Sequence, residues 1–141
     1  MRSTSADHAL ATRLRLALAR SARRLRQEAG TDLSPSLTAA LATIERHGPL
    51  TPSELAARER VQRPTVTRIA CRLEEAGLAT RAADPTDRRS ALITVTPAGR
   101  ALLAAARTRK DAFLSERLDA LSAKDRATLE RAAALLEGML E

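Results

Sequence analysis

Five arginines stand where their type and spacing suit recognition of a polyanion. Arg63, Arg68 and Arg72, with Thr65 and Thr67 between them, fall on the side of a helix turned away from Val66, Ile69, Ala70 and Leu73. One face is then apolar and the other carries guanidinium and hydroxyl groups. A guanidinium binds phosphate oxygens and guanine edges through paired hydrogen bonds, and a threonine hydroxyl reaches either. Arg88 and Arg89 follow in the polar run Asp84-Pro85-Thr86-Asp87-Arg88-Arg89-Ser90. Charges on one helix or one turn are usually plain solvated surface. Two such features joined through the single cap at Gly77 favour a reading surface instead.

Other chemistry has little support. His8 and His47 are isolated, Cys71 is the only cysteine, and no glycine-rich phosphate loop or spaced His/Cys set is present, so no enzyme activity, metal site or cofactor is expected. The chain has 141 residues, enough for one compact domain, with 24 Lys+Arg against 17 Asp+Glu and a net charge of +7. That excess favours nucleic acid or an anionic membrane surface. Residues 1–50 carry eight basic and four acidic side chains, residues 51–100 nine and six, and residues 101–141 seven and seven. The basicity therefore precedes a neutral, alanine- and leucine-rich stretch suited to a protein partner. A lone cysteine allows no intrachain disulfide, and nothing near the start resembles a signal region, so a cytoplasmic location is expected. No apolar run approaches the roughly 18 residues of a membrane span.

The elements that must carry these residues are mostly helical. Leu10, Leu14, Leu18, Ala22 and Leu25 recur at helical spacing, and Gly30 ends that helix. Ser34-Pro35 opens a second helix carrying Leu37, Leu41 and Ile44. Thr51-Pro52-Ser53-Glu54 is a capping box for a short third, and Pro64 opens a fourth that Gly77 closes. Segments 78–83 and 91–96 form a hairpin with Ala91, Ile93 and Val95 on one face. Thr96-Pro97 starts a fifth helix with Leu103, Phe113, Leu114, Leu118 and Leu121, and Ser122 to Asp125 caps a last one bearing Leu129, Ala133, Leu136 and Leu140. This order predicts a mainly α (α+β) winged helix-turn-helix: the third helix braces the fourth in a major groove, and the hairpin reaches the flanking minor groove. A peripheral membrane or protein-interaction module is a weaker alternative: the amphipathic, arginine-rich first helix lacks an aromatic anchor, and a dimer interface explains it better. Non-specific nucleic-acid compaction rests on charge alone.

Arg63-Pro64-Thr65-Val66-Thr67-Arg68-Ile69, Arg72-Leu73-Glu74-Glu75-Ala76-Gly77-Leu78, the Asp84–Ser90 run and Thr94-Val95-Thr96-Pro97-Ala98-Gly99 together resemble the MarR transcription regulators over roughly the whole chain. The resemblance implies a homodimer on double-stranded DNA at a pseudo-palindromic operator, acting as a repressor, with a small-molecule effector. It divides the chain into an N-terminal dimerisation helix (1–33), a DNA-binding lobe (34–99) and C-terminal dimerisation helices (100–141). It makes Thr65, Thr67 and Arg68 candidates for major-groove base or phosphate contacts, Arg72 a phosphate contact, Arg89 the wing arginine in the minor groove and Asp87 the acid that orients the wing. Arg63 on the same helix face and Arg88 at the loop tip complete the expected DNA-binding set. Two positions depart from it. Cys71 replaces an aspartate that often helps hold the wing, which leaves that task to Asp87. Gln62 stands where a serine cap is common.

Overall fold

Local start and stop signals account for most element boundaries. The computed structural model describes residues 3–140. They form α1 (Ser3–Glu28), α2 (Pro35–His47), α3 (Pro52–Glu59), α4 (Arg63–Glu75), β1 (Ala79–Ala83), β2 (Ala91–Val95), α5 (Pro97–Asp119) and α6 (Ala123–Leu140). At α2 the Ser34 Oγ accepts the Leu37 N–H at 3.3 Å. At α3 the capping box is complete: Thr51 Oγ1 accepts from the Glu54 N–H at 3.2 Å and Glu54 Oε2 from the Thr51 N–H at 3.0 Å. Ser122 Oγ accepts the Asp125 N–H at 3.1 Å to start α6. That cap lies close behind the end of α5 at Asp119, so Leu121 falls in the connection rather than on α5, where its spacing had placed it.

The chain gathers into two compact units, one comprising the N-terminal helix with the chain from Thr108 onward, the other Ala29–Arg107. In Ala29–Arg107, α2, α3 and α4 enclose Leu41, Ile44, Leu55, Val66 and Leu73, all fully buried together with Ile93 of β2. The strands pair antiparallel from Ala79↔Val95 to Ala83↔Ala91. Leu50 adds a one-residue bridge to the free edge: its N–H donates to Ile93 O at 3.0 Å and its carbonyl accepts from the Ile93 N–H at 2.7 Å. The hairpin is thereby pinned to the α2–α3 connection. Arg107 hydrogen-bonds Glu45 of α2 and holds that carboxyl below its usual range.

The exit from α4 is the tightest point. Gly77 has φ +72°, a left-handed value that glycine adopts without a Cβ penalty. Leu78 N–H bonds Leu73 O and Gly77 N–H bonds Glu74 O, both at 2.9 Å, which is a Schellman closure with Leu73 and Leu78 buried together. Thr96 then ties in the far strand. Its N–H donates to Leu78 O at 3.0 Å, its hydroxyl donates to Gly77 O at 2.7 Å, and the same hydroxyl accepts the Gly99 N–H at 3.1 Å to cap α5. A Cβ on Gly99 would stand 2.3 Å from Leu78 O and 2.8 Å from Val95 Cγ2. Gly99→Ala should therefore destabilise the protein by about 1–3 kcal/mol, the usual range for overpacking a tight site. Gly77→Ala meets open space and should lose only about 1–2 kcal/mol of left-handed strain. Thermal denaturation of the two variants checks both, and an unchanged melting temperature for Gly99→Ala would contradict the close approach.

Candidate nucleic-acid interface

The exposed face of α4 follows from what its other face buries. Val66, Ile69, Ala70 and Leu73 face the core, which leaves Arg63, Thr67, Arg68 and Arg72 exposed and Thr65 half-buried. The Thr67 hydroxyl donates to Arg63 O at 3.1 Å, so Thr67 presents its oxygen outward as an acceptor. Gln62 at the helix start has extended backbone and makes no side-chain cap bond. The first turn rests on Pro64 and on the Thr65 and Val66 N–H groups donating to Gln62 O at 3.0 and 3.2 Å. An open concavity of about 260 Å³ runs beside this face, lined by Thr65, Arg68, Ile69 and Arg72 and by Ser34, Ser36 and Leu37 at the start of α2. Sequence reasoning missed the two serines, since a contact between α2 and α4 leaves no local signal.

The turn that sets α4 against α3 is closed by an arginine. Arg60 has φ 54° and ψ 45°, with its N–H on Ala57 O at 3.3 Å and the Val61 N–H on Ala56 O at 3.0 Å. The hydrogen-bond pattern matches that at Gly77, but a side chain occupies the left-handed position, at a cost of about 1–2 kcal/mol.

At the wing tip, Asp84 N–H donates to Ser90 O at 3.0 Å and closes the loop. Asp84 Oδ1 accepts from the Thr86 N–H at 2.9 Å and from its hydroxyl at 2.8 Å, and Asp87 Oδ1 accepts the Arg89 N–H at 3.0 Å. Asp87 thus orders the backbone immediately around Arg89, and Asp84 is a second ordering acid that sequence reasoning passed over. Its signal was present, because an aspartate two residues before a threonine is an Asx-turn pattern. Arg88 and Arg89 are exposed. Among the described residues, Arg63, Arg68, Arg72, Arg88 and Arg89 form no ion pair.

Where Cys71 replaces an acid, a different acid is in place. Glu74 Oε2 accepts from Arg81 Nε at 2.8 Å, and Arg81 Nη2 lies 3.5 Å from the half-buried Cys71 Sγ. The Glu74 carboxylate raises the Arg81 guanidinium above its usual range. Besides Asp87 at the tip, Glu74 is thus an acid bonded to the first strand of the hairpin.

Comparison with known proteins places this geometry. The model of the MarR family matches residues 33–91, from the residue before the α2 cap to the first residue of β2. Over 136 residues the chain is 38% identical to an uncharacterized HTH-type transcriptional regulator of Mycobacterium bovis, covering 96% of this chain and 95% of that one. A candidate transcriptional regulator from Pseudomonas aeruginosa PA01 has a similar structure, with a TM-score of 0.88 at 33% identity over 97% of each chain. A mutant of S. aureus MepR bound to an oligodeoxyribonucleotide shares the fold, with a TM-score of 0.72 at 20% identity over 94% of this chain and 98% of that one.

Asp84 reports the order of the wing tip. Its hydrogen bonds from Thr86 hold its carboxyl below the ordinary aspartate value. Because the folded value is lowered, the turn is intact above the ordinary range and opens as pH falls through the lowered one. In an NMR titration the Asp84 carboxyl should show a midpoint below about 3.9, with the Thr86 amide moving in step. A midpoint at or above that value would mean the turn does not persist in solution.

Proposed function

The chain belongs to the MarR family, and we propose that it acts as a homodimeric repressor on a pseudo-palindromic operator. The family assignment makes it a transcriptional regulator and not an enzyme. The observation that carries the reading is the set of five exposed arginines without acidic partners, split between α4 and the wing tip and tied together at the Gly77–Thr96 junction. In this reading α4 enters a major groove about 12 Å wide, where Arg63, Thr65, Thr67 and Arg68 meet base edges and phosphates and Arg72 meets a phosphate. Arg88 and Arg89 follow the wing to the neighbouring minor groove, with Arg89 inserted and Asp87 holding its backbone. The MepR mutant bound to an oligodeoxyribonucleotide, sharing this fold, supports the choice of duplex DNA as the partner.

Homodimerisation is supported by what lies outside Ala29–Arg107. No described residue of 5–28 or 108–140 is buried in a single chain, while Leu10, Leu18, Leu129, Leu135 and Met139 are 54%, 48%, 48%, 62% and 72% exposed. Helices that bury nothing of their own gain stability by packing against a second copy. A two-fold dimer presents two copies of α4 about one helical turn apart, so the operator halves are spaced accordingly. A dimer seated there blocks the duplex to other proteins, which is the basis of repression. Release by a small-molecule effector belongs to the same reading on the strength of the family. Among the described residues no helix is long and apolar enough to cross a membrane.

Arg68→Ala and Arg89→Ala should each weaken binding to a duplex selected from the source genome by about 1–3 kcal/mol, and wild-type affinity should fall steeply with added salt. Unchanged gel-shift affinity in both variants would sink the residue assignment. In the second test, Leu118→Glu with Leu129→Glu should shift the chain from dimer to monomer in sedimentation equilibrium and abolish tight operator binding. A wild-type monomer that binds the operator tightly would refute the dimer.

A further inference from the structure

Glu74 and Arg81 belong neither to the reading face nor to the wing tip, yet they connect the elements that carry them. Glu74 sits in the last turn of α4, and Arg81 is the central residue of β1, opposite Ile93 in the strand register. Their 2.8 Å hydrogen bond spans the Gly77 turn, and one of the two terminal nitrogens of the Arg81 guanidinium, Nη2, reaches the Cys71 Sγ one turn back along α4. The base of the hairpin is fixed by the Leu50–Ile93 bridge and by Thr96, but β1 itself buries little. Ala79 is the last buried residue of the strand, and Thr80, Arg81, Ala82 and Ala83 are all exposed. Beyond that base the hairpin has no apolar anchor on β1, and its ladder to β2 joins strand to strand without joining the outer part to the helix.

We propose that Glu74 and Arg81 are positioning residues that set the angle between the wing and α4, so that Arg89 and the arginines of α4 engage the same duplex together. The inference rests on the DNA-binding reading above. With its Nε on Glu74 and one terminal nitrogen turned to Cys71, Arg81 is held against α4 on two of its three nitrogens. Both side chains are more than a third exposed, at 35% and 43%, and such a pair contributes little to global stability. Its effect is on geometry, and the experiment separates the two.

Glu74→Gln keeps the shape and removes the charge. In hydrogen exchange on the free full-length protein, amides from Arg81 to Leu92 should exchange faster in this variant than in wild type, while those of α4 and the melting temperature stay put. Unchanged exchange in the hairpin overturns the brace, whatever the protein binds. With a duplex selected by the wild type from sheared genomic DNA, Glu74→Gln should weaken affinity about three- to ten-fold, as coupled neighbours do. The double variant Glu74→Gln/Arg89→Ala should bind no more weakly than Arg89→Ala alone, because a loosened wing costs nothing once its inserted arginine is gone. Multiplying losses would show that Glu74 acts independently of the wing and would overturn the proposal. A wild type that selects no duplex refutes the DNA-binding reading instead, and the exchange result still decides the brace.

Discussion

The end of α4, both strands of the wing and the start of α5 meet at two adjacent carbonyls, those of Gly77 and Leu78. The first accepts the Thr96 hydroxyl and the second the Thr96 N–H, and the Gly99 backbone lies close against the second. These few atoms locate the end of α4, the start of β1, the end of β2 and the first turn of α5. Leu78 is buried, and a buried carbonyl without a partner is costly, so the arrangement that satisfies it is preferred over its neighbours. A cluster made of backbone and one hydroxyl also changes little with ionic strength, whereas the arginine surface around it is salt-sensitive by construction. Rigid placement and adjustable attraction are thus assigned to different atoms.

The helix boundaries were legible because their causes are local. A serine or threonine before proline, a glutamate three residues on, or a glycine after the last apolar position each acts within one turn, and Ser34, Thr51, Gly77 and Thr96 all do so here. The exposed face of α4 was legible for a similar reason: once Val66, Ile69, Ala70 and Leu73 claim one side of the helix, the arginines have only the other. What stayed hidden depends on pairs distant in sequence. Leu50 and Ile93 bridge across more than forty residues, the two serines meet α4 only through packing, and Glu74 finds Arg81 because Gly77 folds the chain back at a particular angle. No spacing rule anticipates such contacts. Leu121 shows the converse case, where a local signal beat a periodic one: Ser122 caps the next helix and draws the chain out of the previous one.

The two units differ in how they use apolar residues. Ala29–Arg107 buries leucine, isoleucine and valine to completion in a single chain, whereas the helices outside it keep theirs half-buried or open. The sole aromatic ring, Phe113, is no exception. It lies between Arg24 and Arg117, whose guanidinium carbons are 5.2 and 3.5 Å from its centroid. Arginine over a ring face leaves the rest of each guanidinium free for other partners, so this part of the chain combines apolar surface with charge and suits a surface made to be covered.

The chemistry of the cations on the reading face has one more result. Every one of them is an arginine, and the chain's two lysines, Lys110 and Lys124, both lie in the stretch from Thr108 onward. Acetylation abolishes positive charge at lysine and leaves guanidinium untouched. A cell that acetylates its proteins when acetyl donors accumulate would therefore leave the charge of α4 and the wing unaltered, and lysine acetylation would act only on α5 and α6.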